Sequence, residues 1–209
     1  MTVISPLVYV VDDDAAARES LEALLLSAGH EVKTFDSGEA FLAEYAPDWA
    51  GCAVLDVRMP GLSGLQVQEE LSARDSTLPV IIVTGHGDLP MAVRAMQAGA
   101  LDFIEKPYEE ERLFESVELA LQAGQEKAEA SQALASLAER FENLTPRERE
   151  VLIEVAAGHP NKVVAHKLGI SARTVEIHRA RVVEKMQARS LSHLVRMAMQ
   201  LGLLKEGLS

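Results

Sequence analysis

Four apolar segments of this sequence are each followed by polar residues that are able to carry out chemistry. The polar residues are Asp12, Asp13 and Asp14 after the first segment, Asp56 at the end of the second, Thr84 at the end of the third, and Lys106 after the fourth. A single acid in such a place is usually a loop residue or a helix cap. All four placements together are much harder to obtain by chance, so we expect them to form one site.

This group of residues has the chemistry that phosphoryl transfer needs. Clustered carboxylates repel one another, and a hard divalent cation such as Mg²⁺ relieves that repulsion. A carboxylate beside Mg²⁺ can attack phosphorus and form an aspartyl phosphate. The transferred group then needs a cation and a hydrogen-bond donor, which Lys106 and Thr84 supply. Gly85, directly after Thr84, leaves room for a phosphoryl group.

The segments before these residues predict a parallel α/β sheet. Strands buried on both faces are predicted at residues 7–11, 52–55, 80–84 and 102–105, with a weaker strand at residues 31–35. Helical stretches lie between them; the first ends at Gly29, and Ser37 and Ser63 are predicted N-caps of the next two. This alternation predicts a doubly wound sheet, whose ligands bind beyond the carboxyl ends of the strands.

The C-terminal part of the chain predicts a helix-turn-helix. Thr145, Pro146 and Glu148 have the types and spacing of an N-cap, a first helical residue and a capping-box partner. Further helices are predicted from Asn161, after Ser171 and after Ser190, with stops or turns at Gly158 and Gly169. Four short helices with a glycine turn between the second and third define this motif.

Charge divides the chain in the same way. The net charge is −12 over 209 residues, but it is −15 for residues 1–121, −2 for residues 122–142 and +5 for residues 143–209. We therefore predict an acidic α/β domain, a connector and a basic DNA-binding domain with these boundaries. The Ala-, Glu- and Gln-rich connector is predicted to be helical, with a flexible linker as the alternative.

Composition limits the cellular setting that we expect. The single Cys52 cannot form an intramolecular disulfide, and no segment has the roughly 18 consecutive apolar residues of a membrane span. Both features favour a cytoplasmic protein without a membrane partner.

Several motifs together resemble a two-component response regulator of the FixJ/NarL type. They are VVDDD, LDVRMPGLSG, VIIVTGHGD, AMQAGALDFIEKP and the tail LTPREREVL…NKVVAHKLGISARTVEIHRARVVEKM, which cover nearly the whole chain except the connector. The resemblance implies a flavodoxin-like receiver with strand order 2-1-3-4-5, followed by a LuxR-type helix-turn-helix domain. It also implies a sensor histidine kinase, promoter DNA and RNA polymerase as partners, and usually gene activation.

The resemblance assigns roles to the polar residues. Asp56 would be the phosphoacceptor, and Thr84 and Lys106 would contact the phosphoryl oxygens. The implied Mg²⁺ ligands are Asp12 through water, Asp13 directly, Asp56 itself and Arg58 through its backbone carbonyl. His86 and Asp88 are expected to shape the rim of the pocket, and Asp14 to cap a helix.

The resemblance also implies a conformational switch. Thr84 would move toward the phosphate and Phe103 would turn inward, although Phe103 is equally well explained as a core residue. The face made by the fourth helix, fifth strand and fifth helix would then form a homodimer. The Lys106–Pro107 peptide bond is expected to be cis.

The third helix of the C-terminal domain is the predicted recognition helix. Val175, Val182 and Met186 share one face and are expected to pack inward, with His178 nearby as a hydrogen-bonded structural residue. The predicted base contacts are Arg173, Glu176, Ile177, Ala180 and Arg181, and the predicted phosphate contacts are Lys162, Lys167, Thr174 and Arg179. A dimer would bind half-sites about 34 Å apart in a roughly palindromic operator.

Other functions were weighed against this one. A haloacid-dehalogenase-like phosphatase needs a second acid two residues after its nucleophile, and Arg58 occupies that position, so no turnover of a small substrate is expected. A constitutive DNA binder is disfavoured by the complete set of acids, hydroxyl and lysine. We also hypothesise that the unphosphorylated receiver restrains the recognition helix.

Overall fold

The computed structural model describes residues 6–85 and 89–204. The chain divides into two compact units, Met1–Glu129 and Ala130–Ser209. In chain order the elements of the first unit are β1 (Leu7–Val11), α1 (Ala15–Ser27), β2 (Glu31–Phe35), α2 (Gly38–Glu44), β3 (Gly51–Asp56), α3 (Gly64–Ala73), β4 (Val80–Thr84), α4 (Leu89–Gln97), β5 (Asp102–Glu105) and the beginning of α5 (Glu110–Glu142).

The five strands form one parallel sheet in the order β2-β1-β3-β4-β5, as predicted. The central strands β1, β3 and β4 are almost entirely buried. The prediction that residues 102–105 are buried on both faces was wrong, because only Ile104 is buried in β5. β5 lies at an edge of the sheet, so it has a neighbouring strand on one side only.

Side chains that alternate along the central strands build two cores, one on each face of the sheet. Tyr9, Leu55 and Ile82 belong to the core that includes residues of α2, α3 and α4. Val10 and Val54 belong to the opposite core, which includes residues of α1 and α5. The strands are therefore held from both sides, and their carboxyl ends meet at one edge.

Side-chain caps fix where the helices of the first unit begin. The Asp14 carboxylate accepts hydrogen bonds from the backbone N–H groups of Ala16 and Ala17 at the start of α1. Ser37 caps α2, and Ser63 caps α3 within a capping box. All three caps were predicted from the sequence, and each fixes the first turn of a helix that follows a strand.

The second unit contains the end of α5, α6 (Pro146–Ala156), α7 (Asn161–Leu168), α8 (Ala172–Met186) and α9 (Leu191–Gln200). The capping box of Thr145 and Glu148 is present at α6. Gly169 adopts the left-handed conformation, with φ +65°, between α7 and α8. Ser171 and Ser190 cap α8 and α9. Each of these features was predicted from the sequence.

α5 runs without a break through the segment that was predicted to be a connector. Its last turns contribute Leu137 to the buried core of the second unit, and Phe141 packs against the same core. The division between the units falls at residues 129 and 130, inside the helix. No helix among the described residues is long and apolar enough to span a membrane.

Candidate phosphoacceptor site and nucleic-acid interface

The carboxyl ends of β1, β3, β4 and β5 surround one open cleft of about 360 Å³. Its lining residues are Asp12, Asp13, Asp14, Ala17, Asp56, Arg58, Thr84, Gly85 and Lys106. The structure therefore brings together the predicted acids, hydroxyl and lysine from four separate parts of the sequence.

Lys106 connects the two acids at the base of the cleft. Its Nζ lies 2.8 Å from Asp12 Oδ2 and 3.1 Å from Asp56 Oδ1. Burial by itself would lower the pKa of Lys106, but the hydrogen bonds and negative charges of Asp12 and Asp56 outweigh it and raise this pKa above the usual value. Lys106 is therefore a permanent cation beside the predicted phosphoacceptor.

The chain segment after β3 holds Asp56 in place. The backbone N–H of Arg58 donates to Asp56 Oδ2 at 2.6 Å. Gly64, at the start of α3, packs so closely that a Cβ there would lie 2.3 Å from the Asp56 carbonyl oxygen. A side chain at residue 64 would push α3 away from β3, so the glycine contributes to the position of the carboxylate.

The segment after β1 is held by Arg18, a residue whose role was not predicted from the sequence. Arg18 in α1 donates to the backbone carbonyl oxygen of Asp12 at 2.6 Å. The Asp14 N–H donates to Asp12 Oδ1 at 2.9 Å, so Asp12 is held through its backbone and its side chain. The only feature of the sequence that could have indicated this contact is the position of Arg18 near the start of the helix that follows the three acids.

Tyr108 is a second residue whose relation to the cleft was not predicted from the sequence. Burial raises the pKa of the Tyr108 hydroxyl, the charge of Lys106 lowers it, and that of Asp12 raises it, with a net increase. Its titration is therefore influenced by two residues of the cleft, although its position after Lys106-Pro107 gave no indication of this in the sequence.

The last two strands supply the switch candidates. Thr84 is fully buried at the end of β4, and its carbonyl oxygen accepts the Lys106 N–H at 2.8 Å. Phe103 is partly buried and packs against the core on the α2–α4 side of the sheet. The Lys106–Pro107 peptide bond is cis, as expected. His86 and Asp88, the expected rim residues, lie outside the described residues.

The donor set of the cleft suits Mg²⁺. Asp12 is buried and Asp13 is exposed, and the cleft supplies carboxylate oxygens with the backbone of Arg58 beside them. No group of three His, Cys, Asp or Glu side chains in the described part of the chain is arranged to hold a metal alone. Mg²⁺ commonly takes only one or two carboxylates and keeps several water molecules, so these residues fit it.

α8 exposes all five of the predicted base-contacting residues. Ile177 and Ala180 are exposed, as are Arg173 and Glu176, which form an ion pair at 3.1 Å. Arg181 is exposed on the same helix. Val175, Val182 and Met186 are buried, as predicted. The inward and outward faces of the predicted recognition helix are therefore those expected from the sequence.

Three of the predicted phosphate contacts already have partners within the second unit. Lys167 contacts Glu154 at 2.8 Å, Arg179 donates to the Asn161 side chain, and the Thr174 hydroxyl lies 2.8 Å from that of Ser171. Lys162 is exposed at the start of α7. Phosphate binding by Lys167 or Arg179 would therefore compete with an existing contact.

His178 was expected to be a hydrogen-bonded structural residue. Its Nδ1 is buried and has no hydrogen-bond partner among the described residues.

Comparisons with known proteins identify a family for each of the two units. Residues 8–118 match the response regulator receiver domain, and residues 142–198 match the bacterial regulatory proteins of the luxR family. A receiver joined to a luxR-type domain defines a two-component response regulator with a helix-turn-helix output. The chain belongs to the FixJ/NarL type of this family.

Individual relatives match almost the whole chain. The transcriptional regulatory protein FixJ of Bradyrhizobium diazoefficiens is 47% identical over 199 residues, which are 95% of this chain and 97% of the relative. FixJ of Rhizobium meliloti is 47% identical over 196 residues, 92% of this chain and 94% of the relative. The structure of the response regulator StyR has a TM-score of 0.83 and 45% identity, with 94% of this chain and 100% of that chain covered.

Proposed function

We propose that this response regulator is a phosphorylation-controlled transcription factor in which Asp56 accepts a phosphoryl group from a sensor histidine kinase. The proposal rests chiefly on one observation, the contact of Lys106 with both Asp12 and Asp56 at the edge where four strands end. This arrangement supports the proposal because two acids and a cation lie within one small cleft.

The residues of the cleft divide the work of phosphoryl transfer. Asp56 supplies the attacking oxygen, Lys106 neutralises charge on the phosphoryl oxygens, and Thr84 binds one of them. Asp12, Asp13, Asp56 and the Arg58 carbonyl would hold Mg²⁺, which when bound offsets negative charge in the cleft. Arg18 and the Asp14 N–H keep Asp12 oriented for this role.

Phosphorylation then acts on the face formed by α4, β5 and α5. A phosphoryl group adds about −1.5 to −2 charges at Asp56, and movement of Thr84 and Phe103 transmits this change to the face. Leu89, Val93 and Met96 give this face an exposed apolar surface on α4. A homodimer that covers this surface would present two recognition helices to a roughly palindromic operator, where bound RNA polymerase would be activated.

In the DNA complex, α8 would lie in the major groove. Arg173 and Arg181 would contact guanine, Glu176 would accept from cytosine, and Ile177 and Ala180 would contact thymine methyl groups. Lys162, Lys167, Thr174 and Arg179 would bind phosphates and fix the register.

The test is a pair of matched substitutions within one cleft. The full chain with acetyl phosphate or beryllofluoride is expected to double its mass in light scattering, and Asp56→Asn is expected to remain a monomer. Asp14→Asn is the control, because asparagine also caps helices well and residue 14 serves α1. An unchanged mass of the native chain, or dimerisation of Asp56→Asn, would contradict the proposal.

Two outcomes would favour other functions. If Asp56→Asn left promoter output unchanged, the chain would act as a constitutive DNA binder. Continuous release of phosphate from small phosphate esters would indicate a phosphatase, although Arg58 offers no acid to protonate the leaving group.

A further inference from the structure

A buried amide lies in the contact between α3 and α4. The Gln68 side chain in α3 is 2% exposed, and its Nε2 donates to the backbone carbonyl oxygen of Ala95 in α4 at 3.0 Å. Val67 and Leu71, its buried neighbours in α3, are apolar and belong to the core. A polar side chain therefore occupies a place where an apolar one would complete the core.

The other polar atom of this amide has no hydrogen-bond partner in the described part of the chain. Gln68 Oε1 is buried and accepts no hydrogen bond from any residue that the structure describes. Reversing the amide would not help, because Oε1 would then face the carbonyl oxygen of Ala95. That carbonyl oxygen also accepts the Ala100 N–H at 3.0 Å, so its own hydrogen bonding does not depend on Gln68.

The unpaired oxygen outweighs the hydrogen bond. At their central values, a hydrogen bond between neutral groups is worth about 5-fold in an equilibrium constant, whereas an unpaired buried polar atom costs about 30-fold. An apolar side chain of similar size would lose the bond but would also avoid this cost. Gln68 therefore weakens the contact of α3 with α4 relative to such a side chain.

Other contacts of α4 with the rest of the unit include Met91, which packs against the core on the α2–α4 side of the sheet. Ala95 is the buried residue of this helix among those described. Leu89, Val93 and Met96 are 78%, 45% and 49% exposed. The Ser72 hydroxyl in α3 lies 3.5 Å from the Ala98 carbonyl oxygen, at the limit of a hydrogen bond. The Gln68 contact is therefore one of the contacts that hold α4 in place.

We infer that Gln68 is a positioning residue that keeps α4 loosely attached, so that α4 moves readily when the receiver is phosphorylated. The inference rests on the proposed function, in which α4 belongs to the dimer face. An apolar residue at position 68 would hold α4 in its resting position and reduce the response to phosphorylation.

Hydrogen–deuterium exchange of the full chain tests the attachment of α4 directly. Gln68→Met has nearly the same shape as the native side chain, and we expect the α4 amides to exchange about 5-fold more slowly or slower still. Gln122→Met, the same change at an exposed position of α5, is the control and should leave α4 exchange unchanged. If Gln68→Met destabilises the chain, Gln68→Leu provides a second apolar variant. Exchange at the native rate, or faster, in a stably folded variant would overturn the inference.

Analytical ultracentrifugation with and without beryllofluoride tests the link to activation. We expect the dissociation constant of the beryllofluoride-treated dimer to be about 5-fold higher or more for Gln68→Met than for the native chain. Slower exchange with an unchanged dissociation constant would overturn the link. If the native chain itself formed no dimer, the proposed function would fail, while the exchange rates would still decide the role of Gln68.

Discussion

Lys106 is proposed both to contribute to phosphoryl transfer and to compete with a metal ion. Its ammonium occupies oxygens of Asp12 and Asp56, and both acids are proposed to face Mg²⁺. In Lys106→Met we expect tighter Mg²⁺ binding in calorimetry, because the competing cation is lost. We also expect phosphate uptake from acetyl phosphate to slow by about 100-fold or more, because a stabilising donor is lost.

Lys33→Met is the matched control for this prediction. Lys33 forms an exposed ion pair with Glu44 on β2 and α2, and it does not line the cleft. It should alter neither Mg²⁺ binding nor phosphate uptake. If mass spectrometry showed that Lys106→Met takes up phosphate at the native rate, Lys106 would serve only to hold the two acids together.

Glu148 is a buried acid of the second unit and the capping-box residue of α6. Its carboxylate is 2% exposed, accepts the Thr145 N–H at 2.9 Å and contacts Lys185 Nζ at 2.7 Å. Burial would raise the pKa of Glu148, but these hydrogen bonds and the charge of Lys185 lower it overall. Its stabilising effect is therefore complete above the unfolded pKa of about 4.3 and is lost as the pH falls through the lower folded pKa.

Glu148→Gln tests this pH dependence. Glutamine can keep the capping box but has no charge for Lys185, so we expect a loss of about 1–3 kcal/mol of unfolding free energy at pH 7. The difference from the native chain should shrink toward pH 3 in urea denaturation. Glu150→Gln is the control, because the exposed pair with Arg147 should contribute no more than about 1 kcal/mol. A pH-independent difference would contradict the role of the charge.

At the scale of elements, strands and caps were predictable because their signals are local. The strands follow short apolar runs, and Ser63 and Thr145 precede helices with capping-box partners at the required spacing. The convergence of Asp12, Asp56 and Lys106 was also predictable, since parallel strands end at one edge. Contacts that depend on the exact packing of two elements were not predictable, as for Arg18 with Asp12 and Gln68 with Ala95.

The boundary of the second unit was difficult to predict for the same reason. Residues 122–142 have the composition of a solvated helix, and the sequence alone does not show which of their few leucines has a partner. Leu137 packs into the core of the second unit and is 6% exposed, whereas Leu134 on the same helix is 47% exposed. A DNA-binding domain that begins at residue 143 would lack Leu137.

We therefore expect Leu137→Ala to destabilise the second unit by about 2–5 kcal/mol, the usual cost of truncating a buried leucine. Leu134→Ala, the matched control on the exposed side of α5, should change the unfolding free energy by no more than about 0.5 kcal/mol. Circular dichroism during urea denaturation of residues 130–209 measures both. If both substitutions changed the unfolding free energy equally, the domain boundary would lie after Leu137, closer to residue 143.

At the scale of the whole molecule, the two units have opposite charge. Residues 1–129 contain 8 Lys and Arg against 24 Asp and Glu, and residues 130–209 contain 12 against 8. An acidic unit tethered to a basic one disfavours a DNA partner electrostatically even without any contact with α8. Restraint of the resting state can therefore arise from charge repulsion or from occlusion of the recognition helix, and salt separates these two causes.

The probe is a DNA duplex that the fragment of residues 130–209 selects from a random pool. This fragment should bind the duplex at least about 10-fold more tightly than the unphosphorylated full chain does. Beryllofluoride should remove most of the difference. Charge repulsion is screened over about 10 Å at 0.1 M salt and 3 Å at 1 M, so a difference caused by repulsion should shrink as salt rises. If the receiver instead occludes α8, the affinities of the fragment and of the full chain should both fall as salt rises, and their ratio should stay constant. Equal affinities at low salt, measured by fluorescence anisotropy, would exclude both forms of restraint, and phosphorylation would then act through dimerisation alone.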